Sequence, residues 1–146
     1  MRLTYALLVL VAGLAIACGS QYGPGGDPRT EPPAPIPITR SLARAASATF
    51  DAGSNYGFAF SLPTSAAVSI SANQTGTDTW NIAVFTPQQW ADYQSGAANQ
   101  AYGGVHNSVM QVSDRVQLPS GDWYLGFHCD NVFQRCALVF NIEATY

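Results

Sequence analysis

The sequence predicts an all-β domain, about eight short antiparallel strands in two packed sheets with one short helix. Three observations predict it. From Ala45 to the C-terminus, apolar residues recur with period two over short segments bounded by Gly, Pro, Asn and Asp. No helical period, internal repeat or heptad pattern is sustained along the chain. The last stretch, Asp122 to Tyr146, separates into one apolar and one mixed set of alternate residues.

Ala45 to Phe50 reads as a weak first strand, closed by the turn DAGSN. Tyr56, Phe58, Phe60 and Leu62 alternate in a second strand, which Pro63-Thr64 breaks. Val68, Ile70 and Ala72 mark the third, ended by Asn73-Gln74-Thr75-Gly76; Trp80, Ile82 and Val84 mark the fourth. Thr86-Pro87-Gln88-Gln89 then carries a helix start: an N-cap Thr, Pro at the first helical position and Gln three residues after the cap. Gly96 is its stop. Ala97 to Asn107 reads as a loose connection, and Val109–Val112 and Arg115–Leu118 as strands five and six. Pro119-Ser120-Gly121 turns the chain into the final pair.

For that pair the sequence predicts a hairpin. With Cys129 directly opposite Cys136, Phe127 faces Leu138, Leu125 faces Phe140 and Trp123 faces Ile142. The other face receives His128 with Ala137, Gly126 with Val139, and Tyr124 with Asn141. A slip of one residue would scramble this segregation. A Cys129–Cys136 disulfide is therefore expected. A metal site at His128, Cys129 and Cys136 is the weaker reading, because neighbours on a strand point to opposite faces and His106 is remote as a further ligand.

The N-terminus supplies the compartment. Arg2 precedes an apolar run from Tyr5 to Ala17, the length of a signal h-region and too short to span a bilayer. The run ends Leu14-Ala15-Ile16-Ala17-Cys18, which resembles the lipobox of bacterial lipoproteins, with Ala15 standing where leucine is usual. The resemblance implies a signal peptide over 1–17, a diacylglycerol on the Cys18 thiol and acylation, such as palmitate, on its amino group. Gly19, where an Asp would favour retention at the inner membrane, implies the outer membrane, on its periplasmic or surface face. Lipid on Cys18 also removes the odd member of three cysteines, and export supplies the oxidising conditions a disulfide needs. Residues 18–44 read as a disordered tether with six of the nine prolines, reaching on the order of 40–60 Å. Residues 45–146 are the folded domain.

Within that domain, RVQLPSGDWYLGF at Arg115–Phe127, followed by a turn and LVFNIEA, resembles the end of bacterial pre-peptidase C-terminal-like domains. FDAGSNYGFAFSLPTSAAVSISA is similar in rhythm to their front half. The resemblance implies a jelly-roll-type β-sandwich and an accessory, non-enzymatic module. A looser similarity is to GOLD-type sandwiches, in which a short aromatic helix also precedes a Gly-aromatic hairpin.

Composition narrows the function classes. The chain has no Lys and a net charge of −3, and removing the signal leaves five Arg against nine acids. Such a surface argues against nucleic acid and against a basic grip on anionic lipid. His106 and His128 have no metal-ligand spacing, no G-x-S-x-G elbow occurs, and no glutamate pair suggests glycosidase chemistry. Asp78 with Asn73 is a weak calcium motif that reads better as a turn. No enzyme, metal or cofactor is expected. The remaining signal is aromatic: Trp90, Tyr93 and Tyr102, if exposed together, make a platform for a glycan or a partner protein, while Trp90 and Tyr93, three apart on one helix face, read otherwise as the buried face of that helix. The alternatives are a purely structural envelope lipoprotein and a small hydrolase with a dispersed site.

Overall fold

The computed structural model describes residues 34–97 and 100–146. The expected signal peptide, Cys18 and the expected tether up to residue 33 lie outside them. The described residues form eight strands and one helix: β1 (Thr39–Phe50), β2 (Asn55–Leu62), β3 (Ala66–Gln74), β4 (Trp80–Phe85), α1 (Pro87–Ser95), β5 (Gly103–Val109), β6 (Gln111–Leu118), β7 (Gly121–Cys129) and β8 (Cys136–Thr145). Two four-stranded sheets run in the orders β1-β8-β3-β6 and β2-β7-β4-β5. Every pairing is antiparallel. First pairs with last, second with seventh, third with sixth and fourth with fifth. The chain is thus one long ribbon rolled into two sheets, the jelly-roll arrangement.

The expected sandwich is present, and its core follows from period two. Val68, Ile70 and Ala72 on β3, Trp80, Ile82 and Val84 on β4, and Leu125 and Phe127 on β7 all point between the sheets and are buried. Leu138, Phe140 and Ile142 meet them from β8. Phe127 lies 5.4 Å from Phe140 and 5.5 Å from Trp80, ring centre to ring centre.

Three elements differ from the sequence reading. β1 begins at Thr39 rather than Ala45, because Thr39, Arg40 and Ser41 find partners at Thr145, Ala144 and Glu143. A bulge between Ala43 and Ala46 then turns the strand, with Ala45 at φ 47° and its N–H held by the Asn141 Oδ1 at 2.8 Å. β5 occupies part of the expected loose connection. The two short strands expected across Val109–Leu118 are one, β6, since β3 pairs with it continuously from Ala66–Leu118 to Asn73–Gln111. Asp114 lies inside this strand and meets the His106 ring of β5 at 2.9 Å.

The largest correction concerns the closing hairpin. Cys129 and Cys136 are bonded, with Cα atoms 5.6 Å apart. However, β7 pairs with β2 and β4, and β8 pairs with β1 and β3. The two strands lie in different sheets, and the disulfide ties the sheets together at a corner. Phe127, Leu125 and Trp123 do share an interior with Leu138, Phe140 and Ile142. They meet across the sandwich, not along a ladder. His128, Gly126 and Tyr124 lie on one outer face, and Ala137, Val139 and Asn141 on the opposite one.

Candidate functional site

The outer face of the β2-β7-β4-β5 sheet is built in three rows that cross β2, β7 and β4. Asn55, His128 and Asn81 form a polar row. Gly57, Gly126 and Ala83 form a row with almost no side chains. Ala59, Tyr124 and Phe85 form the third. A trough therefore runs across the sheet, and α1 lays Trp90 into it. A Cβ on Gly57 would come within 2.5 Å of the Trp90 ring, as would one on Gly126. Only glycine permits this approach.

The helix is placed by the signals read in the sequence. Thr86 accepts from the Gln89 N–H, and Gln89 Oε1 accepts from the Thr86 N–H, a complete capping box. Gly96 ends the helix at φ 73°. Trp90 is stacked between Tyr93 and Tyr124, each 5.8 Å away, with Phe85 at 5.5 Å. These rings form a second, smaller apolar cluster outside the main core.

Between this cluster and β5 the trough stays open. It is a groove of about 350 Å³ with Ala83 and Gly126 on its floor. Phe85 and Tyr93 form one wall, and Val105 and Asn107 of β5 the other. Asn81 and His128 close one end. This volume is within the range of small-ligand sites.

The polar end is held rigidly. Asn81 donates to Asp130 at 2.6 Å, and the Ser108 hydroxyl donates to the same carboxylate at 3.0 Å. The Ser108 N–H donates to the Asn81 Oδ1 at 2.7 Å. These bonds keep Ser108 in a left-handed conformation, φ 52°, which a non-glycine residue adopts only when its surroundings hold it there. His128 Nδ1 donates to the Asn55 Oδ1 at 2.8 Å, which leaves Nε2 as an acceptor. Burial, and then the negative charge of Asp130, push the Tyr93 phenol above its ordinary pKa, so it stays a neutral hydroxyl. No Arg or Lys lines the groove. Its chemistry is neutral donors and acceptors beside aromatic rings, with a carboxylate behind one end.

The three aromatic residues singled out from the sequence do not form one exposed platform. Trp90 is buried at 6% exposure beneath the helix, because the glycine trough accepts it. Tyr93 lines the groove. Tyr102 is elsewhere, 4.6 Å from Trp123 and 46% exposed. Asn81, Asn107 and His128 were not singled out as groove residues. Their signal was parity: Asn81, Ala83 and Phe85 alternate with the buried Trp80, Ile82 and Val84.

Asp78 accepts from the Asn131 amide, and Asn73 is a strand residue of β3 opposite Gln111 and Val139 rather than part of a loop. Among the described residues, no group of three or more His, Cys, Asp or Glu is arranged to hold a metal, and no helix is long and apolar enough to cross a membrane. Neither histidine ring is hydrogen-bonded to a serine or cysteine there; His106 meets Asp114 and His128 meets Asn55.

No family model and no curated protein matches the chain. Fifteen chains of solved structures do. One is a periplasmic inhibitor of g-type lysozyme from Aeromonas hydrophila, PliG, at 15% identity and a TM-score of 0.47, over 74% of this chain and 86% of that one. At that identity and score the likeness assigns neither a ligand nor a partner to this chain.

Proposed function

We propose that this protein is a non-enzymatic binding module of the bacterial envelope, moored by lipid on Cys18, whose groove holds a neutral glycan. The observation that carries this reading is the groove beside α1. Tyr93, half-buried and backed by the buried Phe85, offers a ring face to the apolar face of a sugar. The Tyr93 hydroxyl, His128 Nε2 and the Asn107 amide offer neutral hydrogen bonds to its hydroxyls. Asp130 behind the polar end and the absence of a lining cation disfavour phosphate and nucleic acid. The lipobox-like Leu14–Cys18 and the proline-rich segment after it support export and tethering, with the outer membrane as destination.

Glycan-array screening of the full chain in detergent, followed by calorimetric titration of any hit, tests the groove. Tyr93→Ala and His128→Ala should each weaken binding about tenfold, the loss of one good contact. A silent array, or binding indifferent to both substitutions, removes the reading. Mass spectrometry of the membrane-extracted protein tests the mooring. A mature N-terminus at Cys18 carrying diacylglycerol is expected, and an unmodified one refutes it.

A further inference from the structure

The corner loop between β7 and β8 exposes apolar residues that the fold does not use. Phe133 is 92% exposed and Val132 70%. An exposed hydrophobic residue alone means little. Here the backbone beneath it is tied down on every side. Cys129 and Cys136 close the loop from within the core, where both are fully buried. Asn131 Oδ1 accepts from the N–H groups of Phe133 and Gln134, at 2.7 and 3.0 Å. The Asn131 amide donates to Asp78, and its carbonyl accepts from Gly53 at 2.8 Å. Arg135 is paired with Asp51 at 2.8 Å. The large apolar side chains at the tip, Val132 and Phe133, are left exposed.

We infer that this loop is a preformed docking knob, with Phe133 as its anchor, for a folded protein that offers an apolar pocket rimmed by cations. The inference stands apart from the glycan groove. Three features select this partner. A large aromatic that buries nothing in its own fold gains most of its worth at an interface, where such residues dominate binding. The fixed backbone has little conformational freedom left to lose on docking. The charge around the tip is acidic, since Asp51, Asp78 and Asp130 outnumber Arg135. That excess repels an anionic lipid surface and attracts a Lys- or Arg-bearing rim.

The test places a photo-crosslinking phenylalanine analogue at position 133 of the full chain in its own cells, with Gln117 on the opposite sheet as control. The expected adduct is one protein, specific to position 133, whose crosslinked peptide carries apolar residues flanked by Lys or Arg. The purified pair should then bind about 30-fold more weakly with Phe133→Ser, the effect of losing an interface anchor. The Cys129→Ala/Cys136→Ala double variant, shown folded by circular dichroism, should also bind more weakly, while Phe133→Leu retains part of the affinity. Adducts with lipid alone or with a second copy of this chain, no adduct, or affinity unchanged by Phe133→Ser would each overturn the inference.

Discussion

Gly126→Ala tests the glycine trough that seats α1. A methyl at this position lies 2.5 Å from Trp90 Cζ3 and 2.7 Å from Phe85 Cε2. Carbon atoms pack at about 3.5–4.0 Å, so each contact is short by about 1 Å. Tyr93 and Tyr124 stack on the Trp90 ring and Phe85 packs against it, which limits how far the ring can move aside. Two responses remain. If the helix stays, overpacking costs about 1–3 kcal/mol. If Trp90 is expelled, the loss is bounded by its burial, about 4–6 kcal/mol at 25 cal/mol per Å² for an aromatic of this size. The cheaper response sets the outcome, so the expected destabilisation is about 2–3 kcal/mol. For a domain of this size the melting midpoint should fall on the order of 10 °C.

Gly57→Ala presses on the same ring from the neighbouring strand, also at 2.5 Å. Once one methyl has pushed the Trp90 ring aside in its seat, the second meets less resistance. The two substitutions should therefore be strongly non-additive, coupled by about 1–2 kcal/mol. Urea unfolding followed by far-ultraviolet circular dichroism gives the energies. Tryptophan emission tells the two responses apart, because Trp80 and Trp123 remain in the main core and only expulsion of Trp90 exposes a ring to water. Single-variant losses below about 0.5 kcal/mol, or strict additivity, would refute the claim that the two glycines exist to admit this side chain.

Two further outcomes follow from the fold. Replacing both Cys129 and Cys136 by Ala frees a loop of sequence separation 7 and should cost about 2.5 kcal/mol on the chain-entropy estimate, read by calorimetry of the oxidised and variant proteins; an unchanged midpoint contradicts the stapling role. Asp114 has a pKa below the ordinary carboxylate value, first through its hydrogen bond from His106, which outweighs the opposing effect of burial, with smaller lowering contributions from the Arg115 N–H and the His106 charge. A depressed folded-state pKa contributes stability above the unfolded value that is lost as the pH falls through the folded one. Asp114→Asn should thus flatten the decline in urea midpoint at the acid end of the carboxylate range, and an identical decline in both proteins would argue against this contribution.

Much of the architecture is legible in the chain because burial between two sheets writes itself as alternation. Val68-Ile70-Ala72 and Trp80-Ile82-Val84 are unambiguous for that reason. The helix is legible from its caps alone, since Thr86, Pro87, Gln89 and Gly96 act within a few residues of one another. β5 is not legible. Gly104 at φ 60° and Ser108 at φ 52° interrupt its alternation, and its ladder to β4 is irregular. The groove shares that fate, because Val105 and Asn107 belong to β5, and because its floor is defined by small residues, Gly126 and Ala83. A trough is an absence of side chains, and absence leaves no periodic signal. Trp90 illustrates the consequence: on a short polar helix it reads either as a buried face or as part of an exposed platform, and only Gly57 and Gly126 beneath it show which.

The corner at Cys129–Cys136 shows where alternation stops being informative. Two antiparallel strands joined by a short loop have the same parity whether they pair edge to edge or face each other across an interior. Either way the cysteines can meet, and either way Phe127, Leu125, Leu138 and Phe140 are buried. What separates the two arrangements is whether other strands claim the backbone edges of β7 and β8. In this chain β2 and β4 take both edges of β7, and β1 and β3 take both edges of β8. That competition is settled by residues distant in sequence, so a local reading favours the hairpin. The same corner explains the exposed loop. A tight hairpin would let Val132 and Phe133 fold back over one sheet. A chain that crosses between sheets at this corner, with its ends locked by a disulfide and its middle by Asn131, leaves Phe133 at 92% exposure. The feature most suggestive of a partner is therefore a product of the topology that the hairpin reading missed.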